Sequence, residues 1–396
     1  MSEPMAVLGM ISGTSMDGID VAAARFELDD DVVRLHPVGE NSIPYDGSLR
    51  KRLEAALPPA STSAEALCQL DTEVGQAFAA AAEEAILSFG LGVELVVSHG
   101  QTVFHWVEGG EVLGSLQIGQ PAWISARTGL PVVADLRVAD IAAGGQGAPL
   151  AALFDTLLLG GTDVTRASLN LGGISNITVV AGGAEPIAYD VGPANALIDA
   201  AVAHLSGGLE TFDADGAIAA RGQVHEGLLQ ELLTEPYYRQ SPPKTTGKEL
   251  FHLPYLLAAA AKVGEVSGDD LVATATAIAA VTVANACRSH GVAEVIAAGG
   301  GVQNPTLMQM LSEELDDIPV RPIDELGIPS AAKEAYFIAL IGYLTVHGLA
   351  GNLPAATGAS REVTMGALLP GRHGFRLPEP AVTQPTRLRI VTDAPA

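Results

Sequence analysis

Glycines, hydroxyls and two carboxylates are packed into eight residues near the start of the chain, Gly13, Thr14, Ser15, Met16, Asp17, Gly18, Ile19 and Asp20. Apolar segments flank them, Met5 to Ile11 before and Ile19 to Phe26 after, so two strands joined by a short turn are expected. Gly13 and Gly18 permit positive φ and close approach of the backbone to a ligand. Successive turn amides, with the hydroxyls of Ser12, Thr14 and Ser15, make an anion cradle. Asp17 would be repelled by phosphate unless a metal or a water lay between, which suggests a magnesium nucleotide. A polar hairpin without a ligand is the plainer alternative. A second strand–turn–strand runs from Arg166 to Val180 around Gly172, Gly173, Ile174, Ser175 and Asn176, a faint internal duplication of the first.

Two further sites carry chemistry by residue type. Asp190 is expected at the end of a strand, Pro186 to Tyr189, close to a helix that starts near Pro193. The helix dipole there would favour its ionised form, suiting a general base or a metal ligand, or else an ordinary helix-entry Asp. Gly299, Gly300 and Gly301 lie between a strand and a helix that starts near Asn304 and Pro305. They allow a planar group or a phosphate to come close, or they form a tight packing turn. His99 and His105 read as structural histidines, and adjacent Ser98 and His99 would point to opposite strand faces, so no Ser/His nucleophile is assigned. Zinc, dinucleotide and Walker-type signatures do not emerge.

The 396 residues suffice for two domains. A formal net charge of −25 argues against nucleic acid and anionic membranes as partners. An anionic substrate must then be held locally, by amides, a metal or the few cations; the chain has only the lysines 51, 244, 248, 262 and 333. Cys68 and Cys287 form no disulfide framework. No secretory signal is expected, and the uncharged run Leu271 to Cys287 reads as a buried core helix capped near Asp269 and Asp270, so a cytoplasmic, soluble protein is expected.

The elements that must place these residues follow in order. A strand runs through Val32 to Val38, then a helix from Ser48 to Leu57 and a long Ala-rich helix from Ser63 to Phe89, with Ser63 as cap and Gly90 as stop. Val93 to Val97 is a buried strand ending in polar Ser98 to Thr102, where open α/β sheets place sites. A domain change is placed near the Gly-rich stretch Ala142 to Pro149. Phe212 to Gly216 reads as a turn. Pro242 to Lys248 is expected on a surface or cleft-edge loop. Lys333 and Glu334 open an apolar helix, and residues 371–396 are expected to be largely a poorly ordered tail with a short strand at Leu388 to Val391.

GMISGTSMDGID at 9–20 closely resembles the phosphate signature of the anhydro-N-acetylmuramic acid kinases, within the sugar kinase, Hsp70 and actin superfamily. Further segments resemble family motifs in family order: SHGQT at 98–102, QIGQPA at 117–122, VVADLRVADIAAGGQGAPL at 132–150, NLGGISNIT at 170–178, YDVGPANALID at 189–199, PPKTTGKELF at 242–251, AAGGGVQNPTLM at 297–308 and NLPAATGA at 352–359. The resemblance spans about residues 5 to 370.

It implies an α/β, two-lobed actin-like ATPase fold of ribonuclease H-like type, with an ATP and substrate cleft between the lobes. Lobe I would be 1–135 plus about 360–396, and lobe II 136–359. It assigns the ATP phosphates to residues 13–20 and to Asn170, Gly172, Gly173, Ser175 and Asn176. Gly299, Gly300, Gly301 and Asn304 would lie near adenosine. Asp190 matches the catalytic aspartate, His99, Gln101, Arg137 and Asp140 would contact sugar, and Asp17, Asp190 and Glu334 would serve Mg²⁺. The implied reaction joins ATP, water and 1,6-anhydro-N-acetylmuramic acid; a homodimer is suggested. The family usually reads DTGPGN where this chain reads Asp190-Val191-Gly192-Pro193-Ala194-Asn195, a change that removes a hydroxyl and adds a methyl but keeps the carboxylate. The rival readings are a kinase for another anhydrosugar such as levoglucosan and a non-catalytic actin-like ATP-binding protein.

Overall fold

A computed structural model describes residues 4–242, 244–374 and 376–392. Its strands are, in chain order, β1 (Met5–Ser12), β2 (Gly18–Asp29), β3 (Val32–Pro44), β4 (Leu95–Glu108), β5 (Glu111–Ile118), β6 (Val132–Ala134) and β7 (Arg166–Leu171). There follow β8 (Ile174–Val180), β9 (Ile187–Pro193), β10 (Glu294–Ala298), β11 (Val320–Pro322), β12 (Ala367–Leu369) and β13 (Arg387–Ile390). The chain divides into two compact units, Met1–Leu158 with Ala332–Ala396, and Leu159–Ala331.

The first unit is built on the sheet β12-β6-β4-β1-β2-β3-β13, with β5 paired to β4. β1, β2 and β3 form an antiparallel meander, and β4 lies parallel to β1. Near-continuous burial of β1 and of the first half of β4 fits strands covered on both faces. The Ala64–Phe89 helix packs Phe78, Ala82 and Ala85 on this sheet; Ser63 caps it by accepting from the Ala66 amide, and Gly90 ends it in the left-handed region. The Lys333–Val346 helix approaches closely enough that a Cβ at Gly9 would lie 2.0 Å from the Ala335 carbonyl oxygen. A Cβ at Gly342 would lie 2.1 Å from Val97 Cγ2. Two glycines thus set this helix–sheet distance. Lys333 at its start forms a buried 2.6 Å ion pair with Asp155.

The second unit repeats the plan. Its sheet has the order β11-β10-β7-β8-β9. β7, β8 and β9 form the antiparallel meander and β10 lies parallel to β7. The duplication expected from the two hairpins therefore extends through five strands, β3-β2-β1-β4-β6 in one unit and β9-β8-β7-β10-β11 in the other. This doubled mixed α/β plan bears out the two-lobed, ribonuclease H-like class. The helix Gly268–Ser289 is long and apolar enough to cross a membrane by length and composition, yet 83% of that apolar window is buried in the protein. Its cap is Ser267, which accepts from the Asp270 amide, and not the two aspartates, which fill the first turn.

Several expected boundaries move. Residues 136–158 and 332–359 cluster with the first unit, because the Lys333–Val346 helix and its partners pack on the first sheet. Ser98 to Thr102 lie inside β4, not beyond it. The expected tail is largely built into the first unit: Arg387–Ile390 pairs with β3, and the Thr386 hydroxyl donates to the Asp31 carboxylate. Residues 375 and 393–396 of that expected tail lie outside the described residues.

Candidate active site

In the first unit the turn between β1 and β2 is closed by a 3.2 Å hydrogen bond from the Met16 amide to the Gly13 carbonyl. Met16 takes the positive φ, 51°, while neither Gly13 nor Gly18 does. Gly18 is required for a different reason: a Cβ there would stand 2.6 Å from the Ile43 carbonyl oxygen on the next strand. Around Gly13 there is open space, since its nearest neighbour to a Cβ would be Ser15 Oγ at 3.9 Å. Asp17 is exposed and its carboxylate accepts a 2.7 Å bond from the Ser15 hydroxyl, so the acid helps close its own turn. Thr14 is exposed beside it, Ile19 is buried in the core, and Arg50 donates to the Ser15 carbonyl at 3.4 Å.

Behind the turn stands Gln101. Its side-chain oxygen accepts from the Ser12 hydroxyl at 2.6 Å and its amide donates to the Gly13 carbonyl at 3.2 Å. With 0% exposure it braces the turn and offers no surface to a sugar. Asp140 is likewise fully buried. It accepts from the Gly147 amide at 2.8 Å, Asn352 Nδ2 at 2.8 Å and the Thr357 hydroxyl at 2.7 Å. This carboxylate organises the Gly-rich loop, and the expectation that Gln101 and Asp140 touch sugar is corrected: both are spent on internal hydrogen bonds.

His99 and Arg137 form a pair. Arg137 Nε donates to His99 Nε2 at 3.0 Å, which fixes the proton on Nδ1, facing the Gly100 carbonyl at 3.3 Å. Burial, then the adjacent guanidinium, push the His99 pKa down to about 3, so it is neutral. Arg137 Nη1 also donates to the Gly147 carbonyl at 2.6 Å, and burial pulls the guanidinium down to about 10. Of the four expected sugar contacts, only Arg137 is partly open.

Three acids gather electrostatically in this unit. The Asp20 carboxyl is raised above its ordinary range by burial and by Asp17, against a lowering hydrogen bond from Ser42. The Glu334 carboxyl reaches solvent yet is also raised, first by the protein crowded around it and then by Asp20. Among the described residues no three His, Cys, Asp or Glu side chains form a ready ligand cluster. Mg²⁺ needs no such cluster, since it keeps waters and takes one or two carboxylates plus substrate phosphates. Asp20 is raised in part by Asp17 and Glu334 in part by Asp20, and carboxylates that crowd one another in this way favour a cation.

In the second unit the Gly172–Ile174 turn is tied to the helix Asn195–Ser206. The Gly172 carbonyl accepts from the Asn195 amide, and the Gly173 carbonyl from the Ala194 and Ala196 amides, at 3.0–3.1 Å. Ser175 is buried, donating to the Gly192 carbonyl, whereas Asn170 and Asn176 are partly open. Gly299 has φ 87°, and a Cβ there would meet Asn170 Oδ1 at 2.5 Å, so the triple-glycine corner packs against the second turn. A Cβ at Gly301 would meet Leu171 Cβ at 2.6 Å; Gly300 is exposed. Asn304 caps its helix by accepting from the Leu307 amide at 3.0 Å. It is buried, so its side chain is committed to that cap.

Asp190 lies within β9, not at its end. The strand runs on to Pro193 and Ala194 precedes the helix, so the expected helix-entry placement is corrected. What holds the carboxylate is the segment after residue 243. Asp190 Oδ2 accepts from the Thr245 hydroxyl at 2.7 Å and the Thr246 amide at 3.0 Å. Its backbone amide donates to the Lys244 carbonyl at 3.1 Å, and its carbonyl accepts from Tyr237 at 2.6 Å. Burial raises the Asp190 pKa above the usual carboxylate range, opposed by the Thr245 and Thr246 bonds; Glu249 adds a smaller rise. Both Oδ2 donors are protein groups, which leaves Oδ1 as the oxygen to accept an external proton. Lys248 is exposed beside the second turn, its Cε 3.3 Å from where a Gly173 Cβ would be.

The sequence does not single out Tyr237, and it marks Thr245, Thr246 and Lys248 only as part of a surface or cleft-edge loop and a family-like segment. The signal was there in part: PPKTTGK holds two of five lysines and two adjacent hydroxyls in a lysine-poor chain. Asp140→Asn, by contrast, tests a residue the structure moves from contact to scaffold. We expect it to lower unfolding free energy by roughly 1.5–3 kcal/mol, read by urea denaturation. Unchanged stability with weakened sugar binding would instead restore the contact role.

Comparison with known proteins follows the same map. The family model described as anhydro-N-acetylmuramic acid kinase matches residues 5–371. Proteins of that name from Streptomyces coelicolor, Streptomyces avermitilis and Rhodococcus erythropolis are 53%, 56% and 51% identical to the chain. The matches cover 98%, 97% and 98% of this chain and 99% of each relative.

Proposed function

The chain belongs to the anhydro-N-acetylmuramic acid kinase family, and from that premise we propose that it converts 1,6-anhydro-N-acetylmuramic acid, ATP and water to N-acetylmuramic acid 6-phosphate and ADP. Its place is in the cytoplasm, in the recycling of cell-wall amino sugars. The observation that carries the reading is the Asp190 carboxylate, held by two donors on one oxygen with the other free.

Asp190 takes a proton from water as the water oxygen attacks C1. The C1–O6 bond breaks, O6 attacks the γ-phosphorus, and the bond to ADP breaks. O6 leaves carbon as it gains phosphorus, so it needs no base of its own. General-base assistance of this kind contributes about 10²–10⁴-fold. The turns at 13–20 and 172–176 serve as phosphate-binding elements, each offering backbone amides, with Arg50 and Lys248 as nearby cations. Gly299 to Gly301 favour close approach of the adenosine part. Arg137, fixed by neutral His99, is suited to a carboxylate on the sugar, which favours a muramic acid over levoglucosan. Asp20 and Glu334, with Asp17 beside them, would hold Mg²⁺, which when bound neutralises charge on the transferring phosphoryl group.

Two measurements test this. ADP release should be fast with 1,6-anhydro-N-acetylmuramic acid and slow with levoglucosan, and Asp190→Asn should abolish it by about 10²-fold or more while ATP still binds. Full activity in that variant would remove Asp190 from the chemistry; preference for levoglucosan would reassign the substrate. Thr245→Val removes a donor that favours the ionised carboxylate, so the Asp190 pKa should rise further. The acidic limb of the kcat/KM profile should move to higher pH, with the plateau little changed. An unmoved limb would show that Thr245 does not set the base.

A further inference from the structure

The second unit contains a cavity of about 660 Å³ that the proposed reaction does not use. Side chains alternate along a strand, so Tyr189 and Val191 face away from the side on which Asp190 sits. Those two residues line the cavity, together with Tyr238, Lys244, Asn285, Ser289 and His290 among others. Its volume is that of a small-molecule site.

The lining specifies a chemistry. No Asp or Glu is among the described residues that line it, in a chain with a formal net charge of −25. Lys244 supplies a positive charge, its ammonium anchored 3.2 Å from the Tyr237 carbonyl and 4.5 Å from the centre of the Tyr237 ring. The Tyr189 hydroxyl and His290 Nε2 are hydrogen-bonded at 3.0 Å, presenting one aromatic and polar edge. Asn285 Oδ1 is occupied by Arg288, which leaves its amide nitrogen as a donor. Aromatic faces suit the C–H faces of a pyranose, amides and hydroxyls suit its hydroxyls, and an ammonium suits one anionic group.

We propose that this cavity binds a monosaccharide bearing one anionic group, phosphate or carboxylate, and that its occupancy adjusts Asp190. The connection is covalent and short. Lys244 lines the cavity, its carbonyl accepts from the Asp190 amide, and the next two residues hold the Asp190 carboxylate. Tyr189 lines the cavity and precedes Asp190 directly. A ligand that draws on the Lys244 ammonium therefore acts on the segment that aims the carboxylate. The adjustment rests on Asp190 as the base; the binding does not.

The test is calorimetric titration of the full chain with N-acetylglucosamine 6-phosphate, N-acetylmuramic acid and uncharged N-acetylglucosamine. At least one anionic sugar should bind more tightly than the neutral one, and the stronger of the two identifies the preferred anion. Ser289→Trp fills the cavity from an exposed helix position, and Asn285→Asp adds a carboxylate to its lining; each should weaken that binding at least tenfold. Should Ser289→Trp fail to fold, Asn285→Asp decides. Absence of binding by both anionic sugars, or undiminished binding in the folded variant, overturns the site, since the sugar would then sit elsewhere. With the kinase reaction as readout, the bound sugar should shift kcat without changing the KM for ATP, and Ser289→Trp should lose that shift. Binding that is lost in the variants but leaves kcat unchanged overturns the adjustment of Asp190. Lack of any kinase turnover would count against the proposed function, with the binding result still decisive for the site.

Discussion

A carboxylate withdrawn from water must be kept chargeable if it is to work as a base. Burial raises the Asp190 pKa, and two donors on Oδ2 oppose the rise. The donors come from residues 245 and 246, far along the chain from β9, so this carboxylate is held only once the second unit has folded around it. The backbone is tied as tightly as the side chain: the Asp190 amide and carbonyl bond Lys244 and Tyr237. Geometry and charge are therefore set by one segment. The same segment carries Lys248 to the second turn and Lys244 to the cavity behind the strand.

The repeated meander provides the scaffold. In each unit the first two strands meet at a turn rich in small residues, and a strand parallel to the first carries the residues that brace or crowd it. In the first unit that strand supplies Gln101, bonded to Ser12 and to the Gly13 carbonyl. In the second it leads into Gly299, whose missing Cβ makes room for Asn170. The turns are equivalent in topology and different in detail. One relies on Met16 in the left-handed region, the other on carbonyls tied to the start of a helix.

Much of this was legible in the residues. The two hairpins, the Ser63 cap, the Gly90 stop, the buried Leu271 helix and the Asn304–Pro305 helix start follow from local signals that tertiary structure did not override. The misreadings have a common cause. Gln101 and Asp140 are polar residues in motif-like stretches, and type alone does not reveal whether a side chain faces a ligand or its own backbone. Asp190 looked like a helix-entry residue because Gly192 and Pro193 resemble a break, yet the strand continues through both. The holders of Asp190 were hidden by distance: Thr245 and Thr246 are 55 and 56 residues away. Glycine was read as freedom, whereas Gly9, Gly18 and Gly342 are needed because neighbouring backbone or side chains leave no room for a Cβ.

In the proposed reaction Asp190 directs water to the sugar carbon while the freed O6 takes the phosphoryl group. Running the reaction in ¹⁸O-water measures this directly. Label is expected at C1 of N-acetylmuramic acid 6-phosphate and none in the transferred phosphoryl group. Label in phosphate, with C1 unlabelled, would mean that water attacks phosphorus, and would contradict it.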